Sequence, residues 1–122
     1  MKPLAAQAAL HKALAHPTRL RILEALAREE ACVCHLTALL HQRQAYISQH
    51  LMVLREAGLV EDRRDGVLVY YRLLDPRAVE VGRLLRGIAG ENGASEPEET
   101  FPAAPLAGCS CPKCQGMERS GQ

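Results

Sequence analysis

Residues 34–73 read CHLTALLHQRQAYISQHLMVLREAGLVEDRRDGVLVYYRL, and one change of period inside this stretch decides the fold. Leu36, Leu39 and Leu40 share one face of a short helix over Cys34–Leu40. The polar triplet His41-Gln42-Arg43 makes a tight turn. A second helix then spans Gln44–Ala57, where Ile47, Leu51 and Leu54 follow the i, i+4, i+7 rule and Gly58 supplies a left-handed cap. After Gly58 the helical period stops. Two runs of strand character, 59–64 and 67–73, flank Asp65-Gly66, a dipeptide that suits the positive φ angles of a type I′ hairpin turn.

Working outward, Leu4–Ala15 is Ala-rich and helix-favouring, and Pro17 opens a second helix that runs to Arg28 with Ile22, Leu23 and Leu26 on its buried stripe. A last helix opens at Pro76 and carries Ala78, Val81, Leu85 and Ile88 on one side. The predicted order is ααααββα, mainly α with a β-hairpin wing, an α+β fold of the winged helix-turn-helix type. Residues 1–89 form the DNA-binding and dimerisation domain. The composition then shifts, and 90–122 reads as a tail. Within it, residues 91–108 carry Glu91, Glu96, Glu98 and Glu99 with Pro97, Pro102 and Pro105, too little apolar surface to offset ordering entropy, so this part is expected to be a flexible tether.

The chain has 122 residues, enough for one modest core, and a formal net charge of +1, so any basic surface must be local. Cysteines fall at 32, 34, 109, 111 and 114, an odd number, and the N-terminus has no basic-then-apolar export pattern. A reducing cytoplasm is therefore expected, where clustered thiols read as metal-binding or redox-active. No apolar run approaches the ~20 residues of a membrane span. Internal repeats are absent, as are a phosphate-binding glycine loop, a paired acid motif and a catalytic triad signature. The only C-x-x-C, Cys111 to Cys114, lies in the tail rather than at a helix start. An enzyme is not expected.

Two short helices joined by a tight turn and followed by a basic hairpin suit duplex DNA, because a helix fits the major groove while the hairpin reaches the flanking backbone. On the second helix Gln44, Tyr46, Ser48, Gln49 and His50 are expected to avoid the core, with Arg43 at its start and Arg55 further along. Glutamine can pair with adenine edges, and a small Ser48 allows close approach. Arg63 and Arg64 suit phosphates or the minor groove. Taken singly, these polar residues could equally be a solvated face, and Tyr70 and Tyr71 hairpin packing.

The runs Leu14-Ala-His-Pro-Thr-Arg-Leu-Arg-Ile-Leu-Glu24, Ala31-Cys-Val-Cys-His-Leu36, Ile47-Ser-Gln-His-Leu51 through Val53-Leu-Arg-Glu-Ala-Gly-Leu-Val60, and Val69-Tyr-Tyr-Arg-Leu73 closely resemble the ArsR/SmtB family of bacterial metal-sensing repressors. The resemblance covers about residues 8–88. It implies a homodimer on a near-palindromic operator, paired through the terminal helices, and it assigns Cys32 and Cys34 as ligands of arsenite, cadmium or lead. The chain departs from the family pattern at several points. His35 stands where many members have Asp, position 37 is Thr37, the N-terminal region lacks cysteine, and residues 76–88 lack the histidine of a zinc-type site.

Cys109, Cys111 and Cys114 form C-x-C-x-x-C, a spacing that lets several thiolates converge on one soft ion and supply the missing ligands. A flexible chain from Ile88 to Cys109 spans on the order of 25 Å, so Cys32 and Cys34 of either subunit are within reach. Residues two apart on an ideal helix point to different sides, so joint ligation by Cys32 and Cys34 is expected to distort the helix start. A helix N-terminus is also expected to lower their thiol pKa. The function expected is a repressor that leaves its operator when thiolates bind a soft ion, arsenite first, then Cd(II) or Pb(II). The alternatives are a persulfide- or redox-sensing repressor of the same fold, and a constitutive regulator whose cysteines are incidental.

Overall fold

Proline sets the start of two helices. In α1 (Pro3–Leu14) and α2 (Pro17–Arg28) it occupies the first turn, where a missing N–H costs nothing, and the His16 ring Nδ1 accepts the Thr18 N–H at 3.1 Å to cap α2. The computed structural model describes residues 2–91, 101–102, 106–112 and 114–116. Most of the stretch expected to be a tether, 92–100 and 103–105, lies outside the described residues.

After α2 come β1 (Ala31–Cys32), α3 (Val33–Leu40), α4 (Gln44–Glu56), β2 (Val60–Asp65), β3 (Leu68–Leu73) and α5 (Arg77–Glu91). α3 ends on His41 in the left-handed region, φ 54°, with the Gln42 N–H on the Thr37 carbonyl. α4 ends as its sequence predicts. Gly58 takes φ 77°, its N–H bonds the Arg55 carbonyl and the Leu59 N–H bonds that of Leu54, a complete Schellman cap.

The core lies between α2, α3 and α4, where Ile22, Leu36, Ile47, Leu51 and Leu54 are wholly buried. Each belongs to a stripe read from the sequence. Truncating one of these leucines to alanine is expected to cost about 2–5 kcal/mol.

Two expectations about the strands are corrected. The sheet has three strands in the order β1-β3-β2, because Ala31 and Cys32 pair antiparallel with Tyr71 and Tyr70. Two residues carry no period of their own, so β1 was invisible in the pattern. In the hairpin Asp65 pairs with Leu68, which makes Gly66 and Val67 the loop. Only Gly66, at φ 62°, is positive, so the turn follows the II′ pattern rather than I′.

α5 starts on Pro76 and Asp75, whose Oδ1 accepts the Arg77 N–H at 2.9 Å. Ala78 and Val79 bury against the core, whereas Val81, Leu84, Leu85 and Ile88 remain exposed, as do Leu4 and Leu10 of α1. Among the described residues no helix is long and apolar enough to cross a membrane.

Candidate metal centre and nucleic-acid interface

Cys32 is both the last residue of β1 and the N-cap of α3. Its backbone is extended, φ −76° and ψ 162°, and its Sγ accepts the His35 N–H at 3.2 Å. Cys34 follows in the first turn. Because Cys32 stands outside the helix, both sulfurs face the same place without any distortion of α3, contrary to the expectation from ideal helical spacing. The bend that joint ligation needs is already supplied by the strand-to-helix junction.

The tail cysteines are packed, not loose. Cys109 and Cys111 are each only 2% exposed and form one cluster with Cys32, against which Cys34, Ala38, Tyr70, Leu106 and Cys114 also pack. Phe101 lies under the Arg28 guanidinium, whose Nη1 donates to the Phe101 carbonyl at 3.2 Å. Local bonds then shape the loop. Cys109 N–H reaches the Leu106 carbonyl, Leu106 N–H reaches Cys114 Sγ at 3.3 Å, and Gln115 Nε2 donates to the Cys109 carbonyl at 2.8 Å.

The convergence yields two overlapping donor sets. Cys32, Cys34, Cys109 and Cys111 have sulfurs all within 4.8 Å of one another, and so do the ligand atoms of His35, Cys109, Cys111 and Cys114. The Cys109 Sγ lies 3.9 Å from that of Cys34 and 3.3 Å from that of Cys111, while His35 Nδ1 lies 3.3 Å from Cys114 Sγ. A tetrahedral ion with metal–sulfur bonds of about 2.3 Å needs sulfurs roughly 3.8 Å apart, so the spacing fits a thiophilic ion. His35 was missed as a donor in the sequence, although its place directly after Cys34 was the available signal.

Burial outweighs the helix N-terminus at these sulfurs. Desolvation pushes the Cys32 and Cys109 thiols well above the ordinary range, and the His35 N–H lowers Cys32 only in part. The expected lowering is therefore corrected at Cys32: without an ion the Cys32 and Cys109 thiols hold their protons. Capture of an ion then releases protons from the site.

The second region is the exposed side of α4. Arg43, Gln44 and Gln49 are exposed, and Ser48 is half-buried. His50 is the correction. It is only 6% exposed because its ring turns inward, lying tilted against His16 with centroids 4.2 Å apart and meeting Tyr46 edge-on at 4.6 Å. Arg19 Nη1 donates to its Nδ1 at 3.1 Å, so the other ring nitrogen carries the proton. Tyr46 is half-buried, with its hydroxyl 3.3 Å from that of Thr18. These two side chains brace α4 against α2.

In the wing Arg64 is exposed, and Arg55 of α4 pairs with Asp62 at 3.5 Å. Arg63 bonds Glu30 through two nitrogens and lies 4.7 Å over the Tyr70 ring. Strand register explains this stack. Cys32, Tyr70 and Arg63 are directly opposite one another across β1, β3 and β2, which puts sulfur, aromatic ring and guanidinium in a single row.

With this geometry in place, the relatives are informative. Residues 16–62 match the bacterial regulatory protein, arsR family. A biofilm growth-associated repressor of Agrobacterium fabrum is 44% identical over 81 residues, 66% of this chain and 69% of that protein. The chain belongs to the ArsR family. An arsenic resistance transcriptional regulator of Pseudomonas putida is 48% identical over 82 residues, 66% of this chain, and the match spans 64% of that regulator, less than two thirds of its length. A homodimeric winged helix-turn-helix DNA-binding domain of Mycobacterium bovis, solved by solution NMR, superposes with a TM-score of 0.64 at 31% identity, covering 80% of this chain and 90% of that one. The ArsR family is one of winged helix-turn-helix transcriptional regulators and not of enzymes, and the three-stranded sheet with five helices found here is that fold.

Proposed function

We propose that this ArsR-family chain is a homodimeric cytoplasmic repressor. It holds double-stranded operator DNA through α4 and the β2–β3 wing and lets go when its cysteine centre captures a soft metal or metalloid ion. The observation that carries this reading is the meeting of tail sulfurs with Cys32 and Cys34 at the start of α3, one strand away from the wing. Residues 1–89 supply DNA binding and dimerisation, and the tail from residue 90 onward supplies Cys109, Cys111 and Cys114 to the ion site.

Arg43, Gln44, Ser48 and Gln49 face the groove in this reading, with Arg55, Arg63 and Arg64 towards phosphates. Tyr46 and His50 position the helix from behind. A second copy covers the apolar residues of α1 and α5, and two-fold symmetry sets two reading helices about one DNA turn, roughly 34 Å, apart.

Three thiolates suit arsenite, and the fuller sulfur set suits Cd(II) or Pb(II), because soft ligands select soft ions. When bound, the ion supplies the bonds that hold the tail to α3. Fastening the tail there fixes Cys32 against Tyr70 and hence the wing against α3. Operator binding needs a different setting of those two elements. An ion that favours the fastened state shifts the dimer away from DNA by its difference in affinity, typically 1–3 kcal/mol or 5–150-fold.

The reduced protein is expected to prefer its own promoter over random duplex of equal length, and a Cys32→Ser/Cys34→Ser variant to keep that affinity while losing the response to arsenite, Cd(II) and Pb(II). Equal affinity for both duplexes would refute the reading. A wild type that binds specifically but ignores every ion would leave a constitutive regulator.

The separation of 3.9 Å between Cys34 and Cys109 sulfurs also favours a second reading. A polysulfide or peroxide could oxidise that pair to a disulfide, with loss of two hydrogens from the protein and reduction of the oxidant. Mass measurement of protein released from DNA by polysulfide separates the two readings.

A further inference from the structure

We infer that the centre holds two divalent ions in one cluster, Cys109 and Cys111 bridging between them, rather than a single ion. One ion takes Cys32, Cys34, Cys109 and Cys111, and the other takes His35, Cys109, Cys111 and Cys114. The inference rests on the reading of this site as the ion sensor and adds its stoichiometry and the chemical class of ion.

Three observations carry it. The two donor sets share Cys109 and Cys111, and each set separately has its ligand atoms within 4.8 Å. Six donors are two more than a four-coordinate ion can use, whereas two tetrahedral ions that share an edge of bridging sulfurs use all six. The shared edge, Cys109 to Cys111, measures 3.3 Å and is buried at both ends.

Charge points the same way. All five cysteines are free thiols, and an ion binds them as thiolates. One dication on the four thiolates of its set leaves a net charge of minus two, with Cys114 still a thiol, whereas two dications on all five thiolates leave minus one with a neutral His35. Unbalanced buried charge is costly, so the second ion relieves what the first leaves behind. The sulfur-rich set with one imidazole suits tetrahedral ions of the Zn(II) and Cd(II) kind. Two arsenite-derived centres of three thiolates each would need one cysteine more than the chain has.

The test is titration of the reduced full-length protein with Cd(II), followed by native mass spectrometry and 113Cd NMR, with operator binding measured on the same samples. Two Cd(II) per chain are expected, giving two resonances that couple to each other through the shared sulfurs. Cys114→Ser is expected to retain one ion in the site built on Cys32 and Cys34, and Cys34→Ser one ion in the site built on His35. Both lose the coupling. Saturation at one ion per chain, or two resonances without mutual coupling, would overturn the cluster, and neither result depends on a variant folding. One ion bound with loss of operator affinity would overturn the cluster and leave the sensor reading standing. Two coupled ions with operator affinity unchanged would support the cluster and defeat the sensor reading.

Discussion

Gln49 and Arg64 are both exposed polar side chains, yet they are expected to fail differently when removed. Gln49→Ala should cost about 1–3 kcal/mol on the operator and relax discrimination at one base position, because the bidentate base contact proposed for Gln49 is lost. Arg64→Ala should weaken operator and random duplex about equally and lower the salt slope by about 1. Anisotropy titrations on both duplexes at several salt concentrations distinguish these outcomes. At this scale the sequence showed which residue types could read DNA but not which way each side chain turns. Gln49 and His50 are neighbours of similar polarity, and only the packing of His16 and Tyr46 around His50 takes it out of the exposed set. In the same way Cys109, Cys111 and Cys114 were expected as ligands from their spacing and Cys32 and Cys34 from the family resemblance, whereas His35 meets the sulfurs only because the tail packs over α3.

The brace behind α4 makes its own claim about pH. Burial, then the nearby His16 and the Arg19 guanidinium, lower the His50 pKa below its ordinary value of 6.5, so the folded state keeps this ring neutral. The unfolded chain takes up the proton as pH falls through about 6.5, hence stability is full above that value and declines below it. Between about pH 7.5 and 5.5 the urea midpoint of the wild type should drop more than that of His50→Phe. Equal drops would show that the ring carries no such linkage. The wing offers a second check. Tyr70 separates Cys32 from Arg63 within the row across the three strands, so Tyr70→Ala should reduce ion-induced loss of operator affinity several-fold while leaving ion binding in place. Of the elements, α2 to α5 were legible from their apolar spacing, α1 from its Ala-rich composition and the hairpin from Asp65-Gly66 between two runs of strand character. β1 was not, since its two residues are defined only by the partner strand, and yet it is what sets Cys32 beside the wing.

For the whole molecule, the exposed stripe of Leu84, Leu85 and Ile88 is where a second copy is expected to sit. Leu84→Glu/Leu85→Glu should give a monomer by sedimentation and lose most operator affinity, since one short reading helix has to suffice alone. The composition changes near residue 90, close to the last residue of α5, Glu91. The docking of the tail was not legible, because it depends on non-local contacts, Phe101 on Arg28 and Cys109 on Cys32, that no local period encodes. The proposed repressor function turns on linkage between the sulfur centre and DNA. The most direct measurement is the operator affinity of the reduced full-length protein with and without saturating Cd(II) or arsenite, paired with the affinity for the same ion with and without operator. An ion that lowers operator affinity by 5-fold or more, with an equal reciprocal loss of ion affinity on DNA, is the expected result. Operator affinity unchanged by every ion that the centre demonstrably binds would contradict it.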